Sequence, residues 1–236
     1  MNRIMAISWK EWRVAMDTPL GYVVAVAFLL AAGFFFGNHL FLVGQAEMRG
    51  YFSVMPLLLM FFIPAMTMRM LSDEQRSGTF ELLATMPIRT IDIVLGKFVA
   101  VMLQVSVLLA LTLFYPATLA LIGNLDGGQL VAGYLALWLL AAAYVTISLY
   151  ASALTDHAVV AYVIGFGMLF GLFITTQAMV TFSPASQDFI TALSPITHYQ
   201  LMLRGVIGLN DIGLFISTTA LFLALTWFQL ERRRWR

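Results

Sequence analysis

The chain has 236 residues, 61% apolar and 11% charged, and a mean hydropathy of +0.90; soluble domains carry about 25% charged residues, so a water-soluble monomer is excluded. The absence of cysteine removes disulfide scaffolds, thiolate metal sites and cysteine nucleophiles. Thirteen basic against twelve acidic residues give a net charge of +1 and no global field for nucleic acid.

Residues 1–18 read as a helix lying in a membrane interface. Met5, Trp9, Trp12 and Met16 share one face, while Arg3, Lys10 and Arg13 share another. A basic stretch before an apolar run also describes a signal peptide, but this run is too long for one and no small-residue cleavage pattern ends it. Six windows free of Asp, Glu, Lys and Arg follow: Leu20–Val43, Tyr51–Met68, Phe98–Ile122, Leu130–Leu154, Ala158–Phe182 and Ile212–Leu230. Each is near the roughly 20 residues that cross a bilayer as helix.

Two connections, 44–50 and the glycine-rich 123–129, are short outer turns, and Thr155-Asp156-His157 is a tight inner one. With a cytoplasmic N-terminus, eleven of the thirteen Lys and Arg residues lie inside and only Arg49 and Arg204 outside, a strong positive-inside bias. The expected fold is therefore all-α, a single membrane domain over 1–236 with six spans and both termini cytoplasmic.

The inner connection between spans two and three, with a core at 71–94, is long enough for structure of its own. Ser77-Gly78-Thr79 supplies capping chemistry, Phe80 to Met86 is a two-turn amphipathic stretch, and Pro87 stops it. Thr90 with Asp92 marks a second helix start, the acid sitting where the helix dipole favours it. Such a helix either offers Phe80, Leu82 and Leu83 to a partner's groove or lies flat on the membrane. The outer connection 183–211 is too apolar for a solvated loop, and reads as one or two short re-entrant helices packed against protein. Arg204 within it either snorkels to outer headgroups or gates a substrate.

Catalytic chemistry is missing. The chain has no zincin or serine-hydrolase motif and no paired carboxylates in the spans; His39, His157 and His198 fall in separate segments, and Thr155-Asp156-His157 reads as a polar turn. Gly96-Lys97 is followed by Phe98 where a phosphate loop requires Ser or Thr, so any ATPase is a separate polypeptide. An ion-coupled carrier normally places carboxylates at the midplane. Here the polar exceptions are Tyr144, Thr146, Ser148, Thr175, Thr176 and Gln177, read as interhelical hydrogen-bonding groups. Met55, Met60, Met66, Met68 and Met70 invite a Cu(I) reading but suit packing better. Gly33-x-x-x-Gly37 and Gly167-x-x-x-Gly171 are weak signals of close helix approach.

The stretch Glu74-Gln75-Arg76-Ser77-Gly78-Thr79-Phe80-Glu81-Leu82-Leu83, ending near Pro87, resembles the signature that follows the second span of ABC-2 type ABC-transporter permeases. Trp9-Lys10-Glu11, Thr18-Pro19-Leu20-Gly21, Phe62-Ile63-Pro64-Ala65, Leu95-Gly96-Lys97-Phe98, Ala153-Leu154-Thr155-Asp156 and Arg204-Gly205-Val206-Ile207 are similar to the gliding-motility-associated (GldF-type) branch, to which the nitrous-oxide-reductase maturation permease is related. The resemblance implies a bacterial inner-membrane permease whose 71–94 segment is a coupling helix seated on a separate ATP-binding cassette dimer. ATP and magnesium would be bound there and no cofactor by this chain. It places Glu74, Arg76, Ser77, Gly78, Thr79, Glu81, Leu82 and Leu83 on that contact, with Asp156 and His157 on a second, shorter one. It further implies a second permease copy or a related permease as partner and an extracytoplasmic auxiliary subunit in some systems, but does not identify the substrate; the charge-free spans favour export of a lipid-linked or amphipathic compound over a bare ion. The rival function is a non-transporting scaffold that passes ATPase motion to extracytoplasmic proteins.

Overall fold

A computed structural model of the chain describes residues 3–43, 48–78, 89–121, 126–177, 194–205 and 208–234. Nine helices stand in these residues: α1 (Arg3–Asp17), α2 (Pro19–Val43), α3 (Arg49–Arg76), α4 (Thr90–Thr112), α5 (Phe114–Ala120), α6 (Gly127–Leu154), α7 (Ala158–Gln177), α8 (Pro195–Met202) and α9 (Leu209–Arg234). Six spans are long and apolar enough to cross a membrane, α4 and α5 together counting as one, which agrees with the six windows of the sequence.

Proline sets several boundaries. Pro19 disfavours helical backbone at Thr18 and opens α2, where its missing N–H costs nothing. The Thr18 hydroxyl donates to the Ala15 carbonyl at 3.0 Å. The third span, expected as one run from Phe98 to Ile122, breaks at Leu113, because Pro116 has no N–H for the Thr112 carbonyl. The Tyr134 hydroxyl donates to that carbonyl instead, at 3.1 Å. Helix α3 runs unbroken through Pro56 and Pro64; Pro56 frees the Phe52 carbonyl, which accepts from the Tyr199 hydroxyl at 2.7 Å. Buried tyrosines thus satisfy backbone groups that cannot stay unpaired in hydrocarbon.

Three other boundaries differ from the sequence reading. Helix α3 continues past Met68 to Arg76, and the helix start expected at Thr90 is present and runs on into the third span, so both flanks of the inner connection are helical. Residues 127–129, expected as turn, begin α6, because Asp126 caps it by accepting from the Gly128 and Gln129 amides at 3.0 and 3.4 Å. The sixth span starts at Leu209 and carries Asp211 in its first turn.

Helix α6 is the central post, packed against α3, α4, α7, α8 and α9. Its run of small residues, Ala141, Ala142 and Ala143 with Ala151 and Ala153, is buried and lets neighbouring backbones approach where lipid offers no hydrophobic drive for association. Helices α2, α7 and α9 are peripheral and expose Tyr22, Leu30, Val163 and Phe228 among others. Of the two paired-glycine motifs only Gly33 lies at a close approach, where a Cβ would come 3.1 Å from the Tyr115 hydroxyl oxygen; a Cβ at Gly37, Gly167 or Gly171 would meet nothing within 4 Å. Met55 and Met60 are buried in the apolar core.

The expected interhelical role of the polar span residues holds only in part. Thr146 and Thr175 donate to carbonyls of their own helices, whereas Thr176 also meets Ser194 at 2.7 Å. Of the outer connection, residues 183–193 and 206–207 lie outside the described residues, and among the described ones one short helix, α8, is present. Its Tyr199 is fully buried, and burial pushes the phenol well above its ordinary pKa, keeping it a donor. Arg204 is exposed.

Candidate functional site

The tip of α3, the start of α4, the α6–α7 turn, the tip of α9 and the helix α1 meet at one end of the bundle, here the terminal end. Helix α1 reaches it by lying directly on α4. A Cβ at Gly96 would come within 2.7 Å of Ile7 Cγ2, so glycine is required for that approach. One helical turn beyond Ile7, Glu11 then comes over Lys97.

Lys97 is 1% exposed. Its Nζ donates to Glu74 Oε1 at 2.7 Å and lies 3.4 Å from Glu11 Oε1, uniting α1, α3 and α4. A buried ammonium is tolerated only when paired, and on α4 the helical neighbours of Lys97 are Ile93, Val94, Ala100 and Val101, none of which can pair with it. Its partners therefore come from other helices.

The last turn of α3 is tied equally firmly to α6 and α9. Gln75 Nε2 donates to the Ala153 carbonyl at 3.1 Å. Arg233 of α9 donates from Nη1 to Gln75 Oε1 at 2.6 Å and from Nη2 to the Leu154 carbonyl at 2.9 Å. Ser152 Oγ accepts from the Leu71 and Ser72 amides at 3.2 Å each and donates to the Met68 carbonyl at 3.0 Å. Across the connection, the Thr90 hydroxyl donates to Glu231 Oε2 at 2.6 Å.

Ser77 and Gly78 end α3; the Phe80 to Met86 stretch that the sequence reading has them cap lies outside the described residues. The Ser77 amide donates to the Asp73 carbonyl at 2.9 Å, the Ser77 hydroxyl donates to the same carbonyl at 2.8 Å, and Gly78 adopts φ of 69°. That left-handed geometry stops helices and favours glycine.

Of the residues the sequence singled out, Glu74 is held in the Lys97 cluster, while Arg76, Ser77 and Gly78 are exposed at the tip of α3. Thr79, Glu81, Leu82 and Leu83 lie outside the described residues. Asp156 and His157 are exposed on the α6–α7 turn, their side chains 3.9 Å apart. Gln75 of α3 bonds to Ala153, just ahead of that turn, so the two separately predicted contact segments are neighbours. Sequence reasoning passed over Lys97, Glu11, Gln75, Ser152, Glu231 and Arg233. For Lys97 a signal existed: a lysine with only apolar helical neighbours needs a partner from elsewhere in the fold.

The sequence model of the family described as ABC-2 family transporter protein matches residues 5–234, nearly the whole chain. No curated protein matches it.

Proposed function

The chain belongs to the ABC-2 transporter family, a membrane permease component whose ATP is hydrolysed on a separate cassette subunit, and from that premise we propose where and how this chain receives the ATPase stroke. The coupling surface comprises the 77–89 connection, with Glu74, Arg76, Ser77, Gly78, Thr79, Glu81, Leu82 and Leu83, and the neighbouring Asp156 and His157. The observation that carries this reading is the clamping of both flanks of the connection. Its start is fixed through Glu74 to Lys97 and Glu11 and through Gln75 to Ala153 and Arg233; its end is fixed through Thr90 to Glu231. A push on residues 79–88 is then passed to α1, α3, α4, α6 and α9 together rather than absorbed by a hinge.

In this reading the terminal end is cytoplasmic, in keeping with the distribution of Lys and Arg, and α1 lies in the inner interface, where its exposed Met5 and Trp9 meet lipid. The protein sits in a bacterial inner membrane and exports an amphipathic compound. It works with a cassette dimer that holds ATP and magnesium, a second permease chain and, in some assemblies, an extracytoplasmic subunit. The motifs at Trp9-Lys10-Glu11 and Leu95-Gly96-Lys97-Phe98 support placement in the gliding-motility-associated branch. The close fit of Ile7 on Gly96 and the pairing of Glu11 with Lys97 give those two motifs a joint physical purpose.

The test is purification from native membranes in mild detergent, beside a Glu81→Arg, Leu82→Asp variant. A cassette ATPase should accompany the unmodified chain and be lost from the variant. Recovery of the ATPase with both proteins would refute the coupling assignment. Cargo-stimulated hydrolysis in proteoliposomes separates transport from a scaffold that only transmits motion.

A further inference from the structure

Between α1, α2, α3 and α4 lies a cavity of about 530 Å³, within the roughly 300–1,000 Å³ typical of ligand pockets. At the terminal end its rim carries Glu11, Arg69, Asp73, Glu74 and Lys97, and deeper in the bundle its walls are apolar, with Leu29, Met66, Leu108 and Leu111 among them. The rim charges answer one another. Lys97 stands between Glu11 and Glu74, Glu11 also lies 3.8 Å from Lys10, and Glu74 makes a further interaction besides Lys97. Arg69 and Asp73, exposed and opposite in sign, are one turn apart on α3. No excess charge is left to select a charged ligand, so recognition falls to the apolar walls and to the polar group set among them.

That group is Gln104. It lines the cavity at 5% exposure, and its Nε2 is buried with no acceptor among the described residues. An unpaired N–H in an apolar interior is costly, and rarer than an under-satisfied carbonyl. At most a half-turn of the terminal amide, which exchanges N and O in the same space, offers Nε2 to an acceptor in the cavity. Its depth says which acceptor meets it. From the Glu74–Lys97 pair, α3 and α4 run antiparallel over the same seven residues to Thr67 and Gln104, about 10 Å deeper. Gln104 thus stands level with Thr67, just past Arg69, the last charge before the apolar stretch of α3. That level is the boundary between hydrocarbon and head groups, where a glycerolipid carries its ester carbonyls. Beyond it the apolar wall continues to Leu111, about 10 Å further along α4.

We infer that this cavity binds an ester-linked membrane glycerolipid of the leaflet at the terminal end, recognising the ester carbonyl and not the head group. The carbonyl accepts from Gln104 Nε2, the acyl chain it belongs to follows the apolar wall to Leu111, and the head group passes over the rim, where the matched charges neither attract nor repel it. A lipid with ether-linked chains fills the same walls but leaves Gln104 unpaired, so the site distinguishes the two linkages. This needs only that α2, α3 and α4 span the membrane. Lipid binding is measured whether or not a cassette ATPase is bound, so the failure of either reading leaves the other standing.

The test is native mass spectrometry of the full chain, purified in mild detergent with whatever subunits accompany it and titrated with dioleoyl phosphatidylglycerol or with its dioleyl ether analogue, which lacks only the carbonyls. The ester lipid should occupy the chain at least about threefold more, the scale of one hydrogen bond within a membrane. In Gln104→Leu the two lipids should become equal, and in Gln177→Leu, at the other end of the bundle, the preference should be unchanged. Dioleoyl phosphatidylethanolamine should match the phosphatidylglycerol within about twofold, since no net charge at the rim separates them. Equal occupancy by ester and ether lipids in the unmodified chain, an ester preference that survives in Gln104→Leu, or a larger difference between the two head groups would overturn the inference. A second arm needs no variant: an ester-linked phosphatidylglycerol with a photoreactive acyl chain should label the Gln104–Leu111 stretch of α4 and the facing part of α2. Labelling spread evenly over α2, α7 and α9 would also overturn it.

Discussion

Replacing Lys97 by methionine removes the one cation shared by Glu11 and Glu74 while keeping the length and apolar stem of the side chain. At an effective dielectric of about 20, the 2.7 Å and 3.4 Å contacts correspond to gross attractions of roughly 6 and 5 kcal/mol. Most of this is offset by the cost of desolvating all three groups, so the net effect is better taken from broken buried pairs, about 3–5 kcal/mol lost when one partner is removed. The loss arises because two largely buried carboxylates lose the buried cation between them, Glu11 keeping only its 3.8 Å contact with Lys10. At about 2–4 °C per kcal/mol for a chain of this size, the melting temperature in detergent should fall by roughly 6–20 °C. Neutralising all three, as Lys97→Met with Glu11→Gln and Glu74→Gln, removes the stranded charges and should recover most of that fall. Thermal unfolding of the three proteins by intrinsic fluorescence reads the outcome directly. If Lys97→Met melts with the unmodified chain, or if the triple variant melts no higher than Lys97→Met, the cluster is not the buried tie described above.

Gly96→Val should separate α1 from α4 by the clash with Ile7 and lower the melting temperature comparably to Lys97→Met, with Ile7→Ala added in the same chain giving partial recovery. Tyr199→Phe leaves the Phe52 carbonyl freed by Pro56 without its donor and should cost about 0.6–1.7 kcal/mol, the scale of hydrogen bonds within membranes, seen as a shift of a few degrees in the same melt. Arg233→Ala breaks the ties to Gln75 and Leu154 at a partly exposed position, so stability should change by no more than about 1 kcal/mol. ATP hydrolysis by the assembled transporter should nevertheless lose its response to cargo while the cassette stays bound, as read by hydrolysis assay and co-purification.

The number of spans, the all-helical class and the positive-inside bias were legible in the sequence because each is a local quantity: a window long enough to cross hydrocarbon, or a count of Lys and Arg in the connections. The restart at Thr90 was legible for the same reason, since capping and dipole effects act within one turn. The signature around Glu74 to Leu83 located the candidate site. What the site is tied to was not legible. The spans are apolar on all sides, so their patterns do not say which face turns inward, and the central place of α6 follows from how its small residues fit their neighbours. Lys97 finds its acids on α1 and α3, and Gln75 its carbonyl on α6 and its guanidinium on α9. The carbonyls that Pro56 and Pro116 leave without an N–H partner accept from Tyr199 and Tyr134 of other helices. In a bilayer a polar group must find its partner inside the protein, and when its own helix offers none, only the tertiary structure decides which distant residue supplies it.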